Sequence, residues 1–123
     1  MLFQFEEGRP LFLQIADGIE DGILSGLFQE ESQIPSTTEL STMYKINPAT
    51  VLKGMNLLVE QGLIYKKRGL GMFVQQGAVK KIQEKRKGAF YETFVLSLSR
   101  EARRLNLSKE ELIKMVERGF EEQ

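Results

Sequence analysis

Two helix-start signals lie so close together in this chain that they dictate how the segment between them folds. Ser36 followed three residues later by Glu39 is a capping box. The serine oxygen accepts from the Glu39 amide while the glutamate reaches back to the Ser36 amide, so a helix is predicted to begin at Thr37. Asn47-Pro48 is the second signal. Asparagine is a favoured N-cap, and proline at the first helical position gives up an amide that has no intrahelical partner there. The first helix is expected to turn Leu40, Met43 and Tyr44 inward; the second turns Val51, Met55, Leu58 and Val59 inward and ends at Gly62. Only a turn through Lys45-Ile46 connects them, and two helices joined so tightly form a helix-turn-helix unit.

The flanks extend this unit in a definite order. Upstream, Pro10 opens a helix whose stripe is Phe12, Ile15, Ala16, Ile19, Ile23 and Leu27, with Glu20 and Asp21 off the stripe and Ser25-Gly26 as the stop. Downstream, Leu63–Lys67 and Met72–Gln75 read as short strands around Arg68-Gly69-Leu70-Gly71, a hairpin in the position of a wing. From Ala78 the helical spacing returns through Val79, Ile82, Ala89, Phe90, Phe94, Leu98, Ala102 and Leu105. Gly88 costs ~1 kcal/mol relative to alanine inside such a helix and is the expected place of a bend. Asn106-Leu107-Ser108 ends the run. Ser108 with Glu111 is a second capping box, Leu107 with Leu112 a hydrophobic staple, and the last helix carries Leu112, Ile113, Val116 and Phe120. The expected fold is mainly α with a small β-hairpin: an N-terminal winged helix-turn-helix over residues 1–77 and a C-terminal two-helix tail over 78–123.

Composition removes several function classes. The 123 residues suffice for one domain, or one small domain with an appendage. Cysteine and histidine are both absent, which takes away thiolate chemistry, the commonest general base and the commonest transition-metal ligand. No carboxylate cluster has metal-site spacing, and Gly69-Leu70-Gly71 lacks the rest of a nucleotide fingerprint, so neither an enzyme nor a cofactor is expected. No apolar run approaches the ~18 residues of a membrane span, and the N-terminus lacks a signal-peptide pattern, so the expected location is cytoplasmic with no membrane partner. The zero net charge hides a pattern. Residues 1–77 hold six Lys/Arg against nine Asp/Glu, a net −3, whereas Lys45, Lys53, Lys66, Lys67 and Arg68 face only Glu60 within 45–68, a local +4. Such a strip on an acidic body suits a groove-binding surface.

Ile34-Pro35-Ser36-Thr37-Thr38-Glu39-Leu40, then Asn47-Pro48-Ala49-Thr50-Val51, then Gly62-Leu63-Ile64 leading to Lys67-Arg68-Gly69-Leu70-Gly71-Met72-Phe73-Val74, stand in order behind Pro10–Ile15. Together, over about residues 9–76, they resemble the GntR family of bacterial transcription regulators. The Asn-Pro-x-Thr-Val form and the short tail are similar to its YtrA-like branch in particular. The resemblance implies a sequence-specific regulator, a repressor acting as a homodimer on palindromic double-stranded operator DNA. Nothing assigns a small-molecule effector. Two departures bear on the interface: Thr38 stands where many members carry arginine, and Asn47-Pro48 where most carry Ser-Arg. Both remove cations, which shifts base readout toward Thr50, Lys53 and the wing.

With Val51, Met55, Leu58 and Val59 inward, Ala49, Thr50, Lys53, Asn56 and Leu57 face out. Recognition helices touch base edges with their N-terminal residues, so Ala49, Thr50 and Lys53 are the candidate readers: a thymine methyl for Ala49, a base or phosphate for Thr50, guanine O6/N7 for Lys53. Thr50 alternatively serves only the helix start. Ser36, at a helix N-cap, is a candidate for a phosphate oxygen or serves as a cap alone, and Thr38 and Asn47 are further candidate DNA contacts. Lys66, Lys67, Arg68 and Gly69 are expected to bring the hairpin to the sugar-phosphate strand, with Arg68 or Gly69 in the minor groove. Lys80, Lys81, Lys85, Arg86 and Lys87 read as a solvated helix face. Phe90, Phe94, Leu98, Leu105, Leu112, Val116 and Phe120 are the candidate dimerisation residues, since a tail this short cannot enclose a core of its own. The competing reading is a winged-helix protein–protein interaction module, favoured by Thr38 and the net −3 of residues 1–77, opposed by Lys53 and the basic hairpin.

Overall fold

Proline at position 10 cannot donate an amide, but its carbonyl accepts from Leu13 and Gln14, and helix α1 (Leu11–Ser25) starts behind it. The helix stops at Gly26, whose φ of 88° lets its amide return to the Ile23 carbonyl. These elements belong to a computed structural model that describes residues 3–122 as two compact units, the first running to Glu84 and the second starting at Lys85. In the first unit Ile15, Ala16, Ile19 and Ile23 of α1 are buried as their spacing predicts. Glu20, expected off the stripe, is buried as well, and Leu27 is exposed. The reason is that α1 is covered from several sides. The Phe3 ring lies against Gly18 and the Phe28 ring against Gly22, each where a β-carbon would otherwise stand.

The capping box at Ser36 forms as predicted, with Ser36 Oγ accepting from the Glu39 amide and Glu39 Oε1 from the Ser36 amide, both at 3.0 Å; α2 (Thr37–Tyr44) follows. Of its three expected inward residues, Leu40 is buried and Tyr44 is half-buried against the rings of Phe3 and Phe5, but Met43 is 65% exposed. Met43 lies about 100° around the helix from Tyr44, past the edge of the covered arc. Lys45 takes the left-handed conformation, φ 55°, and the Ser41 hydroxyl donates to the Ile46 carbonyl, which fixes the turn. Asn47 Oδ1 then accepts from the Ala49 amide at 2.9 Å and α3 (Pro48–Glu60) begins.

Helix α3 buries Val51, Gly54, Met55 and Leu58. Val59, expected inside, is 39% exposed, because it lies about 100° around the helix from Leu58 and past the edge of the buried stripe. At Gly54 the backbone of α3 comes close to α1. A β-carbon there would stand 2.8 Å from the Phe12 carbonyl oxygen and 3.2 Å from Ile15 Cγ2.

The wing is an antiparallel pair, β1 (Ile64–Lys67) and β2 (Gly71–Val74), in the register Ile64↔Val74, Tyr65↔Phe73, Lys66↔Met72 and Lys67↔Gly71. Residues 31–34 line the other edge of β2: Glu31 donates to the Val74 carbonyl, Val74 to that of Ser32, and Ile34 to that of Met72. This covers an edge that would otherwise offer unpaired amides. Helix α4 (Ala78–Phe90) starts under the carboxylate of Glu30, which accepts from the amides of Gly77 at 2.8 Å and Val79 at 3.1 Å. Those bonds, first Gly77 and then Val79, hold the Glu30 pKa below the ordinary carboxylate value. The stabilisation is complete above that ordinary value and is lost as the pH falls through the lowered one. Ala78 and Ile82 are fully buried in the first core, so this compact unit continues to Glu84 where the motif content had ended at residue 77.

In the second unit the helix passes through Gly88 without interruption. The irregularity falls later, as a π-helical segment over Tyr91–Val95, before α5 (Leu96–Arg104). Asn106, φ 58°, closes α5: its amide returns to Arg103 and that of Leu107 to Ala102, a Schellman arrangement. The second capping box, Ser108 with Glu111, starts α6 (Lys109–Glu121), and Leu107 and Leu112 of the predicted staple line one small hollow with Ala102.

Gly54→Ala forces α1 and α3 apart at a backbone contact. Overpacking of this kind costs about 1–3 kcal/mol, against about 1 kcal/mol gained from the helix preference of alanine. The expected net result is a lower denaturant midpoint, read by chemical unfolding of the full chain; an unchanged midpoint contradicts the close contact.

Candidate nucleic-acid interface

The outward side of α3 holds the candidate readers. Ala49 and Lys53 are exposed and Thr50 is half-buried. Together with Leu52, Asn56 and the Phe12 ring of α1, Ala49 and Lys53 line one shallow groove of about 400 Å³. Lys53 Nζ lies 4.1 Å from the centroid of the Phe12 ring. A cation over an aromatic face at an exposed site is worth about 0.5–1 kcal/mol, enough to bias the side chain yet weak enough to yield to a better acceptor. Asn47 and Ser36 both act first as caps, and Thr38 is exposed one residue inside α2. The Ser36 hydroxyl accepts from Glu39 and retains its own proton to donate.

The wing brings Lys66, Lys67, Arg68 and Gly69 together as an exposed run. They are not equivalent: Lys67 Nζ sits 4.5 Å from the centroid of Phe73, its ring in turn stacked 6.0 Å from Tyr65. Gly69 at φ 78° and Gly71 at φ 121° let the chain reverse, and the Leu70 amide closes the turn onto the Lys67 carbonyl at 2.9 Å. The Leu70 carbonyl accepts from Gln33 Nε2 at 2.6 Å, so the tip is braced from the strip of chain beside β2.

Residues 11–74, which contain this whole arrangement, match the family described as bacterial regulatory proteins, gntR family. The chain belongs to that family. It is a transcription regulator of the winged helix-turn-helix type and not an enzyme. Among its relatives, the HTH-type transcriptional regulator YhcF of Bacillus subtilis is 29% identical over 112 residues, 89% of either chain. The transcriptional repressor YtrA of the same organism is 32% identical over 69 residues, 56% of this chain and 53% of its own length. A solved GntR-family regulator from Bacteroides thetaiotaomicron shares 39% identity over 92% of this chain and 98% of its own, with a TM-score of 0.71. AraR (DBD) in complex with operator ORX1 matches 58% of this chain and 90% of its own, with 31% identity and a TM-score of 0.53. No helix among the described residues is long and apolar enough to cross a membrane.

In the second unit of this GntR-family chain, Phe90 and Phe94 come together with ring centroids 5.3 Å apart, and Leu112 is half-buried. Leu98, Leu105, Val116 and Phe120 are exposed, Phe120 at 83%. Three residues that shape the face escaped sequence reasoning in their present roles. Phe12 reads as one more member of the α1 stripe, and neither Leu52 nor Gln33 carries an expectation; no local pattern links Gln33 to a carbonyl 37 positions away.

Removing the brace tests its effect directly. Gln33→Ala deletes a hydrogen bond with a net worth of about 1 kcal/mol, so the Leu70 amide exchanges with solvent up to about fivefold faster. Gln75, whose amide donates to the Leu63 carbonyl at the far end of the hairpin, keeps its rate; uniform acceleration would mean instead that Gln33 supports the whole fold.

Proposed function

We propose that this GntR-family chain is a cytoplasmic repressor that binds a palindromic operator as a homodimer, reading sequence with α3 and gripping the backbone with the wing. The carrying observation is the capped start of α3, which presents Ala49 and Lys53 to solvent while Val51, Met55 and Leu58 fix the opposite side in the core. Recognition helices meet base edges with these first turns. On this reading Ala49 touches a thymine methyl, Thr50 a base or phosphate, and Lys53 leaves Phe12 for guanine O6/N7. Ser36, Thr38 and Asn47 position the helix termini on phosphates. Lys66 and Lys67 neutralise the backbone, and Arg68-Gly69 enters the minor groove. The operator-bound AraR match supports the choice of DNA, and the likeness to the repressor YtrA supports the direction of regulation.

Selection of DNA from a random pool, followed by salt titration, tests the operator. An inverted repeat is expected, with affinity falling steeply as salt rises. Lys53→Ala costs ~1–3 kcal/mol on the preferred site and relaxes one consensus position, whereas Lys66→Ala weakens all sequences alike and lowers the salt slope by about one. A pool without an enriched repeat at low salt returns the face to a protein partner.

The homodimer rests on the tail. Phe90, Phe94, Leu98, Leu105, Val116 and Phe120 remain exposed after the helices of the second unit have packed, and Leu112 is covered only in part. Apolar surface of that extent calls for a partner, and a second copy across a two-fold axis supplies the same residues in return. It also sets two recognition helices for the two half-sites. Phe94→Glu is expected to sediment as a monomer with an intact winged helix and to bind the palindrome far more weakly. A variant that stays dimeric removes Phe94 from the seam.

A further inference from the structure

Leu52 is 49% exposed in the first half of α3, and the core of that helix is complete without it. Single exposed leucines are ordinary on protein surfaces, so exposure alone assigns nothing. Its company is what matters. Leu52 stands three residues after Ala49, close enough on a helix for the two side chains to be neighbours, and both line the groove that holds Lys53 and Asn56. The turn of α3 that meets base edges on the operator reading therefore carries an apolar pair next to a cation.

A major-groove edge offers a leucine one favourable contact. Guanine shows two acceptors and cytosine an amino donor, and an apolar side chain pressed on either leaves polar atoms desolvated and unpaired. Thymine alone among the four bases carries a C5 methyl group. We infer that Leu52 is a specificity-determining residue that selects thymine through its C5 methyl, acting as a larger companion to Ala49. The inference rests on the operator reading proposed above.

The test uses the full chain and duplexes carrying its enriched site, with each thymine of one half-site replaced in turn by uracil, which differs only in lacking the methyl. Wild type is expected to lose about fourfold in affinity at one such position, the worth of one buried methyl-sized group. Leu52→Ala loses affinity for the thymine site and no longer distinguishes thymine from uracil there, while Leu52→Met, which keeps an apolar contact, restores the distinction. If wild type binds the repeat but tolerates uracil everywhere, or if Leu52→Ala keeps the full methyl dependence, the inference falls and the operator reading stands. An enriched half-site without thymine has the same consequence. If no DNA is retained at all, both fall.

Discussion

The contact between α1 and α3 at Gly54 sets how closely α3 packs on the core. With no side chain at that position, the backbone of α3 reaches the Phe12 carbonyl and the Ile15 side chain directly, and the buried row of Val51, Met55 and Leu58 closes over the α1 core. The same approach sets the Phe12 ring beside the outward face, where it holds the Lys53 ammonium group. One glycine thus connects tight packing inside to the position of a cation outside. A bulkier residue would separate the helices and move both, because close-packed interiors have little room to absorb even one added carbon.

A second constraint is polar and comes from one short stretch of chain. Glu30 accepts from the first amides of α4, Glu31 accepts from the Tyr65 hydroxyl at 3.1 Å, and Gln33 donates to the wing tip. The backbone of the same stretch pairs with β2. A two-stranded hairpin is marginal by itself in water. Here it gains a third segment paired along β2 and two side-chain ties, Glu31 with Tyr65 and Gln33 with Leu70, which hold it in one orientation without burying much apolar surface. Burial, and then Glu31, raises the Tyr65 pKa, so this hydroxyl stays a donor across the neutral range.

The second unit follows a different logic. Its corner is locked by backbone geometry, the Schellman closure at Asn106 and the capping box at Ser108, whereas Ala102 is its only buried hydrophobic residue among those described. Local hydrogen bonding shapes these helices, and their apolar side chains stay largely exposed.

The elements that carry their own start and stop chemistry were legible from the residues. Both capping boxes, the Asn47 cap, the Gly26 stop and the two-glycine hairpin each depend on interactions within a few positions, and each appears where expected. Spacing also identified the central core, since Ile15, Ile19, Val51, Met55 and Leu58 repeat at helical intervals. It failed at the margins. Met43, Val59 and Leu27 are apolar at plausible spacing yet exposed, and Glu20 is charged yet buried, because burial at the edge of a stripe depends on which neighbour covers it. The placement of Gln33 against Leu70, of Phe12 against Lys53 and of the π-helical segment at Tyr91–Val95 in place of a bend at Gly88 belongs to the tertiary structure. For the two pairings the reason is distance along the chain: a periodic pattern reports which way a side chain faces on its own element, and only packing decides what it meets there.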